Sequence, residues 1–224
     1  MKGFLAMLVD LRVSGISRFV PQFVRQFLYR ILPVSEMETG TWRRMRLKKL
    51  EKVKAAPLLT IDAVGIIENL ECSHVHYEAA CLELGVPYKL VNISSTDWIQ
   101  RVEKSGCGKF LVWPSSASAA LKRMFDDRLK VMTESMGRTL LPSYESLWLY
   151  ESKRRMHNWM SANSVPHPLT RVFYNREEAL DFAKSAVFPI VFKTDIGASA
   201  TGVEIVRDRK RACRLVDICF SRGY

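Results

Sequence analysis

No window of this 224-residue chain approaches eighteen uninterrupted apolar residues, so no segment reads as a transmembrane helix. Cysteine is scarce: the five (Cys72, Cys81, Cys107, Cys213 and Cys219) are odd in number and include no C-x-x-C pair, which argues against a disulfide framework or a thiolate zinc site. The N-terminus has no small-residue cleavage site of the secretory kind. These absences together predict a reducing, cytoplasmic setting and a soluble or at most surface-bound chain. There is no G-x-G-x-x-G, so a parallel sheet here need not hold a dinucleotide. Gly197 and Gly202 have P-loop spacing, but Val203-Glu204 follow them in place of Lys and Ser/Thr, and a strand continues where a helix should begin. That disfavours a Walker-type NTPase.

Acidic residues are the remaining shortage, 23 Asp and Glu against 34 Lys and Arg, for a net charge of +11. The imbalance is local. Residues 1–54 hold twelve of the basic and four of the acidic side chains, which leaves 22 against 19 for the rest. In this leader Ile16, Phe19, Val20, Phe23, Val24, Phe27, Leu28 and Ile31 recur at three- and four-residue intervals, opposite Arg18, Gln22, Arg25 and Tyr29, as in an amphipathic helix. Two readings fit: the apolar stripe packs on the chain's own core beneath a solvated basic face, or residues 16–31 attach peripherally to an anionic membrane. No recognisable nucleic-acid module accompanies the basic run, so no specific nucleic-acid partner is expected.

From residue 55 the pattern becomes α/β. Residues 58–67 read as a strand leaving near Gly65, Ser73 as the cap of a helix stopped by Gly85, and 86–93 as a second strand. A short helix over 95–105, a strand over 109–114, helix over 116–136 and a short strand near Leu140–Leu141 follow. Strand and helix alternating at these lengths predict a small parallel sheet covered by helices. Cys72, His74 and His76 would face one way on a strand and could then chelate zinc. On the helix that Ser73 predicts, the two histidines lie about 200° apart and cannot share an ion.

The segment 143–161 reads as mainly helical, and Pro166 and Pro168 then force an extended stretch. Asn175 caps a helix with Ala179, Phe182 and Ala183 inward. Strand 190–193, a small-residue loop and strand 203–206 form a hairpin, and Asp208 caps a last helix carrying Ala212, Leu215, Val216 and Cys219. A loop of small residues lets backbone N–H groups approach phosphate oxygens. Lys193, closing an apolar strand just before that loop, is hard to explain by solvation alone. His157 and His167 have no partner visible in the sequence.

This order resembles the front half of the ATP-grasp superfamily: a helix-borne lysine (Lys153), an extended G-x-P-x-P-like stretch (164–168, with Ser164 in place of glycine), a capped helix, a P-x-x-x-K strand ending at Lys193, a glycine-bearing loop and a V-x-x-V strand (203–206). The resemblance implies a basic leader (1–54), a Rossmann-like pre-ATP-grasp domain (55–142) and an α+β ATP-grasp N-terminal subdomain (143–224). It implies that Lys153, Lys193, Gly197, Ala198, Ser199, Ala200, Thr201 and Gly202 bind ATP phosphates. Members of the family typically join a carboxylate to an amine or thiol through an acyl phosphate, with Mg2+ neutralising the phosphates. The family's metal ligands and most substrate contacts come later than Tyr224. The chain is therefore expected to be the nucleotide-binding front part of such a ligase, inactive in isolation, and no catalytic residue is assigned. The rival expectation is a noncatalytic α/β interaction module that docks on a membrane or protein through its leader.

Overall fold

The structure is a computed structural model, and it describes residues 62–71, 73–115, 118–197 and 202–221. The leader, Cys72 and loop residues 198–201 lie outside the described residues. Those described fall into two compact units, one ending at Trp113 and the other beginning at Pro114. Among them no helix is long and apolar enough to cross a membrane.

The first unit is a parallel sheet with helices, as its alternating pattern predicts. Strand β1 (Val64–Ile67) lies between β2 (Tyr88–Val91) and β3 (Lys109–Leu111) and is parallel to both, with Val64 opposite Tyr88 and Gly65 opposite Phe110. Ile66, Ile67, Val91, Phe110 and Val112 are buried. Helix α1 (Val75–Leu84) and helix α2 (Trp98–Ser105) fill the crossovers, each ended by a left-handed glycine, Gly85 at φ 67° and Gly106 at φ 65°.

Two details differ from expectation. Gly65 sits inside β1 and not at its exit. Helix α1 starts one residue later than a Ser73 cap would give: His74 takes the cap position without a side-chain bond, and Asn69 Oδ1 accepts the Ser73 N–H at 2.9 Å. The face of α1 turned inward is Val75, Glu78 and Cys81, with Ala79 and Leu82 only half-buried. The buried Glu78 carboxylate accepts the Tyr88 hydroxyl at 3.3 Å and lies 3.8 Å from His74 Nε2, which is how a carboxylate can occupy a core position.

In the second unit, helix α3 (Ala119–Glu134), capped by Ser118, precedes strand β4 (Thr139–Leu141). The expected helix over 143–161 is two: α4 (Tyr144–Leu149) and α5 (Lys153–Ala162). Glu151 at φ 55° breaks the chain between them, and Ser152 then caps α5 through the Arg155 N–H. Ser164, at the position where the family motif has glycine, also adopts a left-handed φ of 55°. A Cβ is unfavourable there. Ser164→Gly is expected to stabilise the chain by about 0.5–1 kcal/mol, read as a rise in Tm; a fall would mean that the hydroxyl matters more than the backbone.

Helix α6 (Arg176–Ser185) has the expected cap, Asn175 accepting from Glu177 and Glu178 N–H. The antiparallel pair β5 (Ile190–Lys193) and β6 (Val203–Val206) has the expected bounds, and α7 (Arg209–Ser221) follows. Asp208 Oδ1 accepts the Arg211 N–H at 2.8 Å, as a cap should. Ala183, Val206, Ala212 and Leu215 form a core with Phe188, Ile190, Phe192 and Val216 around it, so one face of the hairpin is held by α6 and α7. The other face carries Val191, Lys193, Val203 and Ile205, all exposed.

Candidate functional site

Alternation along β5 points Lys193 outward, beside Val191 on its own strand and opposite Val203 on β6. The loop after Lys193 is closed at its base by the Thr194 N–H donating to the Gly202 carbonyl at 2.8 Å. Lys153, the first residue of α5, comes to the same loop. Its Nζ donates to the Gly197 carbonyl at 2.8 Å and to the Asp195 carbonyl at 3.3 Å, and its backbone N–H donates to Asp195 O at 3.2 Å. An ammonium has three N–H bonds, so one donor remains after these two contacts. Burial lowers the Lys153 pKa below the ordinary lysine value; Glu151 and Asp195 oppose that, and the charge of Lys193 adds to it. Two cations therefore stand at one loop, and the charge of Lys193 works against that of Lys153.

Asp195 fastens this arrangement. Its carboxylate accepts the Ser152 hydroxyl at 2.8 Å, the Arg154 backbone N–H at 3.1 Å and the Arg154 guanidinium at 3.2 Å. Negative charge at a helix N-terminus is favourable in itself. Burial pushes the Asp195 pKa up, but the Arg154 amide, the Ser152 hydroxyl and the Arg154 guanidinium together outweigh it and hold the carboxyl below its usual range. A depressed carboxylate pKa adds stability above the unfolded value, near pH 4, which is lost as pH falls through the folded value. Asp195→Asn is thus expected to lower Tm at pH 7, by about 1–3 kcal/mol of stability, with the gap to the wild type closing below about pH 4. A gap that does not change with pH would show that charge is irrelevant.

Beneath the first turn of α5 lies a buried ionic cluster. Lys122, with no exposed surface, donates to Asp126 and to the Leu147 carbonyl, the latter at 3.1 Å. Arg155 donates to the other Asp126 oxygen and to the Trp148 carbonyl at 2.9 Å, with its guanidinium 4.7 Å from the Trp148 ring. Arg155 therefore belongs to this cluster and Arg154 meets the loop at the Asp195 carboxylate, whereas Lys153 bonds the loop's backbone carbonyls at Asp195 and Gly197.

Of the residues expected to bind phosphate, Lys153, Lys193, Gly197 and Gly202 are placed around one loop, while Ala198, Ser199, Ala200 and Thr201 lie outside the described residues. The sequence alone did not single out Asp195, whose one signal is a position between Lys193 and the glycines. It also left His157 and His167 unpaired, whereas His157 Nδ1 and His167 Nε2 are 3.1 Å apart.

No family model matches the chain, and no curated protein does. Among the solved structures that resemble it are two biotin carboxylase domains of 2-oxoglutarate carboxylases. One, from Hydrogenobacter thermophilus and solved with MgADP, ADP and bicarbonate, is 18% identical with a TM-score of 0.49, over 71% of this chain and 41% of that one. The other, from a thermophilic enzyme bound to ADP without magnesium, is 17% identical with a TM-score of 0.29, over 83% and 39%. This chain spans about two fifths of the length of each.

Both glycines take backbone angles that residues with side chains rarely adopt, Gly197 at φ 151° and Gly202 at φ 72°. A Cβ on Gly202 would meet Thr194 Oγ1 at 2.0 Å. Gly202→Val is therefore expected to displace Thr194 and deform the loop base, and, if the loop grips a nucleotide, to weaken that binding roughly tenfold, with the far-UV spectrum nearly unchanged because the helices are untouched. Unchanged affinity would mean that the loop is only a hairpin.

Proposed function

We propose that residues 143–224 are the phosphate-gripping front part of the nucleotide site of an ATP-dependent ATP-grasp ligase, one that joins a carboxylate to an amine or thiol through an acyl phosphate. The observation that carries this reading is the convergence of Lys153 and Lys193 on one glycine-bounded loop, Lys153 already bonded to the Gly197 carbonyl. Ammonium groups suit phosphate oxygens as point charges, and the loop's backbone can add directional donors. The exposed apolar side chains Val191 and Ile205, on the same face as Lys193, offer the nucleoside a surface to lie against.

The ligand in this reading is MgATP, with a small-molecule carboxylate as co-substrate. Among the described residues no group of three His, Cys, Asp or Glu could hold a metal ion, and Asp195 is already engaged by Ser152 and Arg154. The described residues therefore do not make a magnesium site, and their part is to grip and orient phosphate. A cytoplasmic setting and peripheral membrane contact through residues 16–31 belong to the same proposal.

The test is calorimetric titration of the 224-residue chain with MgATP, beside Lys193→Ala. Saturable binding that the substitution removes supports the reading; heat that is the same in both, or none in either, rejects it.

A further inference from the structure

Lys153, His157 and Ser161 recur every four residues and so share one face of α5. The chain then turns at Ser164, and Pro166 and Pro168 on either side of His167 hold it extended alongside that face. His167 Nδ1 lies 2.8 Å from the Val165 carbonyl. A carbonyl can only accept, so Nδ1 carries the proton, and the neutral ring presents an unprotonated Nε2. That nitrogen lies 3.1 Å from His157 Nδ1 and 3.2 Å from Ser161 Oγ, the two imidazoles meeting edge to face with centroids 5.0 Å apart. Nothing in the nucleotide reading uses these three side chains.

We infer that His157 Nδ1, His167 Nε2 and the Ser161 hydroxyl form a binding site for a divalent transition-metal ion of the imidazole-seeking kind. An ion at the usual distance of about 2.05 Å from each nitrogen, with the nitrogens 3.1 Å apart, makes an N–metal–N angle of about 98°, between the octahedral and tetrahedral values. To bind it, each ring turns so that its lone pair leaves the line between the two nitrogens and points to the ion. The Nδ1–H of His167 on a backbone carbonyl is the outer-shell bond that metal-ligating histidines usually make, because it fixes both tautomer and ring plane. Water completes the coordination, since both rings are half-exposed. The ion joins α5 to the extended segment, across the turn that Ser164 strains. This inference does not rest on nucleotide binding.

Nickel is the probe, because imidazole suits it and it competes less than zinc for the cysteine thiolates elsewhere in the chain. Titration of the 224-residue chain with Ni2+ is expected to show a saturable site that His157→Gln and His167→Gln each weaken roughly tenfold or more, with Lys193→Ala unaffected. Cu2+ bound to the wild-type chain should show electron paramagnetic resonance splitting from two nitrogens, reduced to one in either variant. Equal nickel binding by the wild type and both glutamine variants, or no saturable site in the wild type, overturns the inference and leaves the histidines as a hydrogen-bonded pair. Because Lys193→Ala removes nucleotide but not nickel, failure of one reading is distinguishable from failure of the other.

Discussion

Lys193→Ala and Lys153→Met are both expected to abolish most nucleotide binding, and only Lys153→Met is expected to lower Tm. Lys193 is exposed on the outer face of β5, so its removal leaves the hairpin core of Ile190, Phe192 and Val206 as it was. What is lost is a charge-assisted bond to phosphate, worth about 1.5–3 kcal/mol, or roughly tenfold to a hundredfold in affinity. Lys153 differs because its Nζ already satisfies the Gly197 and Asp195 carbonyls. Methionine there loses the same phosphate contact and also releases the loop, at a further cost of about 1 kcal/mol in stability. Melting curves with and without MgATP separate the two effects. If Lys153→Met keeps full affinity, the Lys153 ammonium serves only as a loop strap.

The largest loss of stability is expected from Gly65→Ala. The sequence reading put this glycine at a strand exit; in the structure it is paired with Phe110 in the middle of the parallel sheet. A Cβ there would stand 2.2 and 2.3 Å from two atoms of the Phe110 ring, which is fully buried. The ring cannot yield without displacing a close-packed interior, so about 3 kcal/mol is lost, or roughly 10 °C or more in the melting of a unit this size. The double variant Gly65→Ala/Phe110→Leu should recover part of that loss by removing the ring edge. If the double variant is merely the sum of the two singles, the contact is not the cause.

These cases show what the sequence could and could not disclose. The hairpin was legible because its signals are local: Pro189 before the strand, alternation through Lys193, small residues in the loop and Asp208 capping the next helix. Lys153 came only from the resemblance, and its place at the start of a helix was not foreseen, because 143–161 read as a single mainly helical segment. Gly65 was misplaced because glycine in a strand signals either an end or a close approach, and the Phe110 ring that decides between them is 45 residues away. Asp195 was unreadable as an anchor because Ser152 and Arg154, its partners, are more than 40 residues earlier. The two histidines meet only because Ser164 takes a backbone angle that its residue type disfavours, and composition gives no hint of that.

The cluster under α5 has one further consequence. Lys122 and Arg155 share the single carboxylate of Asp126 beneath the turn that begins with Lys153, and burial lowers the Lys122 pKa while Asp126 and the more distant Asp195 oppose that. Counterions reach this cluster less readily than they reach the exposed Lys193, because dissolved salt screens charges in solvent far more than charges inside the protein. In the proposed nucleotide reading, the pull of this turn on an anion therefore has two shares: an outer one from Lys193 that fades as ionic strength rises, and an inner one that fades less.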